Sequence, residues 1–256
     1  MITSPHNPSL KALRKLQHTR ERALTGRFVA EGEDLLAAAD AAGWTALERY
    51  RAQGSGLPGT EVDAEVLASV SSLGSGTRAL AVYEQRWHPA PVGPLCVCLM
   101  GVGDPGNVGA VLRSALAFGA ASVALGPDCA DPFSPKAVRA SMGAIFEVSV
   151  ARIEEVGDLP GEKIALVAGA GEVLTGPLKA ATLVVGAERE GLTDDAIAAC
   201  DRTAHIPIAS ESLNAAMAAT VALYEVAPRQ SQERTDASVR YGNHPKGTTS
   251  GDQGSS

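Results

Sequence analysis

The sequence has few aromatic residues, 4% of its 256 residues, whereas apolar residues make up 45% and charged residues 20%. A core therefore has to be built mainly from Ala, Val and Leu, as in a soluble mixed α/β protein. No apolar run approaches the ~18 residues that a membrane span needs, and the N-terminus lacks the apolar centre of a signal peptide. These absences predict a cytoplasmic protein without a membrane segment.

The sequence also lacks the cysteine spacing of metal or redox sites. Its four cysteines are Cys96, Cys98, Cys129 and Cys200, and none of them forms a Cys-x-x-Cys pair. Cys96 and Cys98 alternate along an apolar stretch, so they face one side of a predicted strand. We expect reduced cysteines with a packing role and no metal site.

The net charge of −7 argues against nucleic acid as a partner, but the charge is unevenly distributed. Residues 6–27 hold six basic residues against one acid, a local excess of +5, which leaves −12 for the remainder. A helix predicted over residues 10–22 would place basic side chains opposite Leu10, Leu13 and Leu24. That face is either a solvated surface or a binding surface for RNA phosphates. Its basic residues are Lys11, Arg14, Lys15, His18 and Arg22.

The chain divides into zones of different pattern. Residues 1–87 alternate helical and strand-like segments, including an alanine-rich helix predicted for 33–42, and residues 88–94 hold three prolines and predict a stiff linker. Residues 95–227 repeat strand, loop and helix, as a largely parallel sheet requires. Residues 228–256 are polar and rich in Gly and Ser, so we expect a disordered tail.

The first candidate functional loop follows the apolar strand 95–100. Residues 101–106 match Gly-x-Gly-x-x-Gly, and Asp128 follows at about the distance that the dinucleotide-binding fingerprint requires. This alternative predicts an NAD-dependent oxidoreductase. Two residues disfavour it: Pro105 has no N–H to offer a pyrophosphate, and Asp128 lies in a loop instead of ending a strand.

The helix after this loop has an unusual arginine. Val108, Val111, Leu112 and Ala115 form its apolar stripe, whereas Arg113 is the one large side chain on a face of Gly and Ala residues. A long cation among small residues suggests a guanidinium that faces a ligand; the alternative is an ordinary surface arginine.

Two further loops follow predicted strands. The strand 181–185 ends in Gly186, where a glycine would let a ligand approach the backbone. Glu188 in this loop either accepts a hydrogen bond, holds Arg113 or is solvated. The loop 204–214 leads into the last helix, for which Ser212 is the expected cap.

Asn214 would lie inside the first turn of that last helix, where asparagine is a poor helix former. Its position there therefore suggests a functional role. Backbone groups of residues 206–213 would help to grip an adenine edge and an amino-acid tail.

These loops together resemble the SpoU (TrmH) branch of the knotted SPOUT methyltransferases. The segments that carry the resemblance, in order, are DPGNVGAVLR (104–113), PKAVRASMGA (135–144), VVGAEREGL (184–192) and IPI with ESLN (206–214). The stretches ITSPHNPSLK (2–11) and RFVAEG (27–32) are similar to the N-terminal RNA-binding module of members that act on ribosomal RNA. The resemblance thus extends over nearly the whole chain except the tail.

The resemblance implies a fold and an activity. It implies a trefoil-knotted α/β methyltransferase domain at 95–227, preceded by a smaller α/β domain at 1–87 similar to a ribosomal protein. It also implies a homodimer that transfers methyl from S-adenosylmethionine to a ribose 2′-hydroxyl, most often in ribosomal RNA.

The resemblance further implies site residues. Arg113 is the leading catalytic candidate, oriented by other polar side chains, and the cofactor is gripped mostly by backbone. The third loop, at Ala209–Ser210, is shorter than is usual in the family, so a non-catalytic RNA-binding module is the alternative. The expected catalytic residues are Asn107, Arg113, Glu188, Ser212 and Asn214, the cofactor-binding residues Gly186, Ile206 and Leu213, and the RNA-binding residues Lys11, Arg14, Lys15 and Arg22.

Overall fold

The computed structural model describes residues 1–72 and 76–228, which form two β-sheets surrounded by helices. The polar tail predicted from residue 228 onwards lies outside the described residues except for its first residue. No helix in the described part of the chain is long and apolar enough to span a membrane.

The first sheet is formed by the N-terminal part of the chain. Its strand order is β1-β4-β2-β3, antiparallel except for the parallel pair β2/β3. The strands are β1 (Arg27–Glu31), β2 (Glu48–Ala52), β3 (Thr60–Val62) and β4 (Ala79–Glu84), and the helices are α1 (Pro8–Lys15), α2 (Thr19–Thr25), α3 (Glu33–Ala41) and α4 (Ala64–Ala68).

The second sheet has seven strands in the order β7-β6-β5-β10-β8-β11-β9, and all its pairs are parallel. The parallel sheet predicted from the repeated pattern is therefore confirmed. Short 3₁₀ helices lie at Ala144–Phe146 and Val156–Asp158. The strands are β5 (Leu95–Leu99), β6 (Ser122–Leu125), β7 (Ser149–Arg152), β8 (Glu162–Leu166), β9 (Glu172–Val173), β10 (Ala181–Val185) and β11 (Arg202–His205), and the helices are α5 (Pro105–Ala117), α6 (Pro135–Ala140), α7 (Asp194–Ala198) and α8 (Ala215–Val226).

The central strands of this sheet are buried over their whole length, as expected where helices cover both faces. Cys96 and Cys98 are fully buried free thiols in β5. Burial raises the pKa of both thiols, that of Cys98 well above its ordinary value. Their packing role is therefore confirmed.

The scarce aromatic residues lie mainly where the two sheets meet. Phe28 and Tyr83 from the first sheet contact Phe133 and Phe146 beside the second, with the Phe28 and Phe133 ring centroids 4.9 Å apart. The indole N–H of Trp44 donates a 2.8 Å hydrogen bond to the carbonyl of Phe146. One continuous apolar cluster therefore joins the two parts of the chain.

The basic helix predicted over residues 10–22 is in fact two helices. α1 ends at Lys15 and α2 begins at Thr19, and Leu24, which was expected on the apolar face, is 78% exposed. At the end of α1 the guanidinium of Arg22 binds the carbonyl oxygens of Leu16 and Gln17, which a continued helix would otherwise use.

The expectation that Arg22 binds RNA is wrong, because this side chain is buried. Arg22 is 1% exposed, and its Nε donates a 2.7 Å hydrogen bond to Oδ2 of Asp131 in the loop before α6. Its remaining donors bind the end of α1 and the hydroxyl of Thr19. Arg22 therefore joins the N-terminal helices to the second sheet.

The proline-rich segment 88–94 runs along the second sheet. The backbone N–H of His88 donates to the carbonyl of Val150, at 2.7 Å. Ser122 receives a hydrogen bond from the N–H of Val92 and donates one to the carbonyl of the same residue. These contacts hold the segment against strands β6 and β7.

Candidate active site

A cavity of about 320 Å³ opens at the carboxyl ends of β8, β10 and β11. This is the edge of a parallel sheet at which ligands bind. Its walls are the loop after β10, the loop after β11 and the start of α8. The residues predicted for this region that line the cavity are Gly186, Glu188, Ile206, Ser212 and Leu213.

Gly186 is required by its own loop. A Cβ at this position would overlap the backbone of Gly191 and Leu192. The backbones of Ala187 and Gly191 exchange hydrogen bonds of 3.0 and 3.1 Å, which close the loop tightly over Gly186. The returning chain therefore approaches this glycine closely, which is a second reason for its lack of a side chain, and Gly186 still lines the cavity.

Three of the predicted catalytic side chains are connected by hydrogen bonds. The amide Nδ2 of Asn107, in the first turn of α5, donates to Oε1 of Glu188, and its Oδ1 accepts a 3.1 Å hydrogen bond from Nδ2 of Asn214. This bridge joins segments that are far apart in sequence, beside the cavity. Of the three alternatives for Glu188, the structure selects a hydrogen bond, and its partner is Asn107.

The position of Asn107 depends on the start of α5. Oδ1 of Asp104 accepts a 3.0 Å hydrogen bond from the backbone N–H of Asn107 and so caps the helix, with Pro105 in its first turn. Oδ2 of Asp104 accepts a 2.6 Å hydrogen bond from Nζ of Lys136. That lysine holds the pKa of the Asp104 carboxyl below its ordinary value, and backbone N–H groups act in the same direction.

The same geometry removes the basis for dinucleotide binding at residues 101–106. The Asp104 carboxylate occupies the N-terminus of α5, where a pyrophosphate would have to bind. A Cβ at Gly106 would lie 2.7 Å from Oδ1 of Asp104 and 3.1 Å from Cε of Lys136. The space beside Gly106 is therefore filled by the side chains of Asp104 and Lys136 and is not open to a ligand.

Asn214 caps the last helix. Its Oδ1 accepts hydrogen bonds from the backbone N–H groups of Ala216 and Met217, at 2.9 and 3.3 Å. Asn214 was expected inside the first turn but lies one residue before it, as the cap. The cap expected at Ser212 is therefore wrong by two residues. Asn214 thus combines a structural bond through its oxygen with the bond to Asn107 through its nitrogen.

Arg113 is exposed on α5 and is not among the residues that line the cavity. Within the described residues it makes no ion pair with an acid, Glu188 included. Asn107 and Ser114 face α8, where the Ser114 and Thr220 hydroxyls lie 2.6 Å apart. Arg113 follows Asn107 by six residues, so it leaves α5 on a different side.

The basic residues of α1 lie away from this cavity. Lys11 and Lys15 are exposed, whereas Arg14 binds the carbonyl of Pro5 at 2.7 Å and the Ser69 hydroxyl at 3.0 Å. These three side chains leave a positive surface on the first part of the chain.

The chemistry of the cavity fits S-adenosylmethionine. Apolar side chains of Leu166, Ile206 and Leu213 line it. In residues 1–72 and 76–228, no hydrogen-bond acceptor is found for the backbone N–H of Ile206 or Leu213, and Nδ1 of His205 is buried without a partner. Apolar walls with unpaired polar groups are what a purine, a ribose and an amino-acid end require.

Comparison with known proteins agrees with this geometry. The model of the SpoU rRNA Methylase family matches residues 94–224. An uncharacterized tRNA/rRNA methyltransferase from Synechocystis sp. is 33% identical over 90% of this chain and 94% of its own length. The 23S rRNA (guanosine(2553)-2′-O)-methyltransferase of Bacillus subtilis is 26% identical over 88% of this chain and 98% of its own.

A solved structure agrees as well. The AdoMet-bound rRNA methyltransferase from Sinorhizobium meliloti has a TM-score of 0.76 and 30% sequence identity, covering 88% of this chain and 95% of its own. The family model spans more than half of the chain, and the relatives span most of it. The chain therefore belongs to the SpoU rRNA methylase family.

Proposed function

We propose that the chain transfers the methyl group of S-adenosylmethionine to a ribose 2′-hydroxyl of ribosomal RNA. The observation that carries this proposal is the hydrogen-bonded bridge of Asn107, Glu188 and Asn214 beside a cavity that suits the cofactor. Relatives named as ribosomal RNA 2′-O-methyltransferases support the choice of substrate. An RNA substrate follows from the reaction, because DNA has no 2′-oxygen.

In the proposed site, backbone groups around Gly186, Ile206 and Leu213 hold the cofactor, which when bound supplies an electrophilic methyl group on a sulfonium. Arg113 does not act as a base, because a guanidinium stays protonated above pH ~12. We assign it to the phosphate beside the target ribose, where it positions the 2′-oxygen and stabilises its developing negative charge. Asn107, Glu188, Ser212 and Asn214 fix the surrounding polar groups.

We further propose that the enzyme is a homodimer in which Arg113 serves the partner's cavity. Exposed apolar side chains of α8, Met217, Val221 and Tyr224, follow one another at helical spacing, with Tyr224 72% exposed. An apolar stripe of this kind marks an interface. It also gives a reason for the separation of Arg113 from the cavity of its own chain.

The remaining expectations belong to the same proposal. Residues 1–87 dock the RNA through Lys11, Arg14 and Lys15, and residues 95–227 transfer the methyl group in the cytoplasm.

A trefoil knot is supported by contacts at the end of α8. The backbone N–H of Leu178 donates a 2.9 Å hydrogen bond to the carbonyl of Val226, and that of Gly176 donates to Oε1 of Glu225, so the segment before β10 contacts the C-terminal end of this helix.

Arg113→Ala tests the assignment. Transfer of tritiated methyl to ribosomal RNA should fall by a factor of about 10²–10³, the loss seen when one group that stabilises transition-state charge is removed. Affinity for S-adenosylmethionine, measured by calorimetry, should stay within a few fold. Arg113→Lys is the matched control for charge, and it should restore little because it lacks the planar fork. Near-normal activity of Arg113→Ala would contradict the assignment.

The dimer proposal needs a separate experiment. Arg113→Ala and Gly186→Ala chains are each expected to be inactive, for different reasons. If Arg113 acts on the partner's cavity, mixed dimers of the two variants contain one complete site and recover activity. If each chain supplies its own Arg113, mixing restores nothing and the shared-site proposal fails.

A further inference from the structure

A second cavity, of about 300 Å³, opens at the carboxyl ends of β6 and β7, on the same edge of the sheet as the first. None of the proposed catalytic or cofactor residues lines it. The loop that forms one wall is hydrogen-bonded to the loop leading into α5. The N–H of Gly101 donates to Pro127 at 3.1 Å, and that of Ala130 donates to Val102 at 2.9 Å.

One wall of this cavity is a planar surface. The guanidinium of Arg152 lies 4.2 Å from the ring centroid of Trp87. The indole is held by an edge-on contact with Phe133, with centroids 5.2 Å apart, and by a 3.2 Å hydrogen bond to Gln85. Arg152 and Trp87 both line the cavity. Unstacked RNA bases stack on such aromatic and guanidinium planes.

Two carboxylates face the same space. Asp128 and Glu154 are exposed and line the cavity. Among the described residues, neither of them forms an ion pair, and Arg152 does not either. Carboxylates repel a phosphate, but they accept hydrogen bonds from the amino groups of bases. The occupant that satisfies both walls is therefore a flat group with amino donors.

We infer that this cavity binds an amino-bearing nucleobase of the substrate RNA, adenine, cytosine or guanine, near the nucleotide that is methylated. The base stacks on Arg152, and its amino group donates to Asp128 or Glu154. In the sheet, β6 at the second cavity lies three strand spacings, about 14 Å, from β8 at the first. A short extended stretch of RNA spans that distance. The inference rests on the proposed RNA methyltransferase function.

The test compares labelled single-stranded oligo(A), oligo(C) and oligo(U) of equal length by fluorescence anisotropy at fixed salt. Oligo(A) and oligo(C) should bind about tenfold more tightly than oligo(U), as expected for a hydrogen bond to a charged group. Asp128→Asn with Glu154→Gln should abolish this preference. Asparagine is chosen at position 128 because the backbone there is left-handed, with φ of +59°, and asparagine adopts that conformation as aspartate does. Arg152→Ala should weaken binding of all three oligomers about tenfold.

Glu155→Gln is the matched control, because Glu155 is an exposed neighbouring acid that does not line the cavity. The inference is overturned if the preference is absent, if it survives the double variant or if Glu155→Gln also removes it. Displacement of oligo(A) by free AMP at equal base concentration would overturn the RNA assignment. S-adenosylmethionine affinity by calorimetry should be unchanged in all variants. If the unmodified protein does not bind S-adenosylmethionine, that result contradicts the proposed function instead.

Discussion

Replacing Arg22 by alanine should destabilise the protein more than replacing any solvent-exposed arginine. The substitution removes hydrogen bonds to Asp131, Leu16, Gln17 and Thr19. It leaves the Asp131 side chain, which is only 15% exposed, without its cationic partner. Breaking a buried ion pair by removing one member costs about 3–5 kcal/mol, because the remaining charge stays desolvated.

The predicted loss in stability is measurable by urea and thermal denaturation. For a chain of this size, about 3–5 kcal/mol corresponds to a fall in Tm of about 6–20 °C. Arg20→Ala is the matched control, since Arg20 is an exposed neighbour on α2, and it should change stability by about 0.5 kcal/mol or less. Arg22→Lys keeps the charge but cannot make all the hydrogen bonds, so it should fall in between.

A double-mutant cycle with Asp131→Ala separates the ion pair from the other contacts of Arg22. The two substitutions should be non-additive by about 2–3 kcal/mol, because removing both charges leaves neither one buried alone. Additive effects, or a loss of stability in Arg22→Ala no larger than that in Arg20→Ala, would show that the buried ion pair does not stabilise the protein. Weakened RNA binding at unchanged stability would restore the original expectation that Arg22 contacts RNA.

Two further predictions concern the site. Gly186→Ala should abolish binding of S-adenosylmethionine in calorimetry, since the added Cβ overlaps the backbone of Gly191; Gly157→Ala, with open space around it, should not. Lys136 lowers the pKa of Asp104 in the folded protein, so the ionised carboxylate contributes stability above its unfolded pKa, near pH ~4, and loses it as pH falls through the lowered value. The stability difference between the unmodified protein and Lys136→Met, followed by urea denaturation, should therefore vanish at low pH, and a difference independent of pH would contradict this.

Local chemistry explains why much of the fold was predictable. The alanine-rich helix predicted for 33–42 is observed as Glu33–Ala41. The buried stripe of α5 contains the four residues that its periodicity predicted. Asp104 before Pro105 is a helix start that can be recognised without tertiary information. The last helix spans Ala215–Val226 as predicted, but its cap was predicted wrongly, because Ser212 and Asn214 are both good capping residues and only the loop geometry chooses between them.

The family, the parallel sheet and the loops of the candidate site were predictable from sequence, because motifs and periodicity depend on neighbouring residues. Which side chains meet depends on the fold: Asn107 contacts Glu188 and Asn214, and Arg22 contacts Asp131, and all these pairs are more than 80 residues apart. A basic residue at helical spacing has the same pattern whether it is solvated or buried. What separates the two cases is a carboxylate brought to it by the fold, which offsets the cost of desolvating the charge.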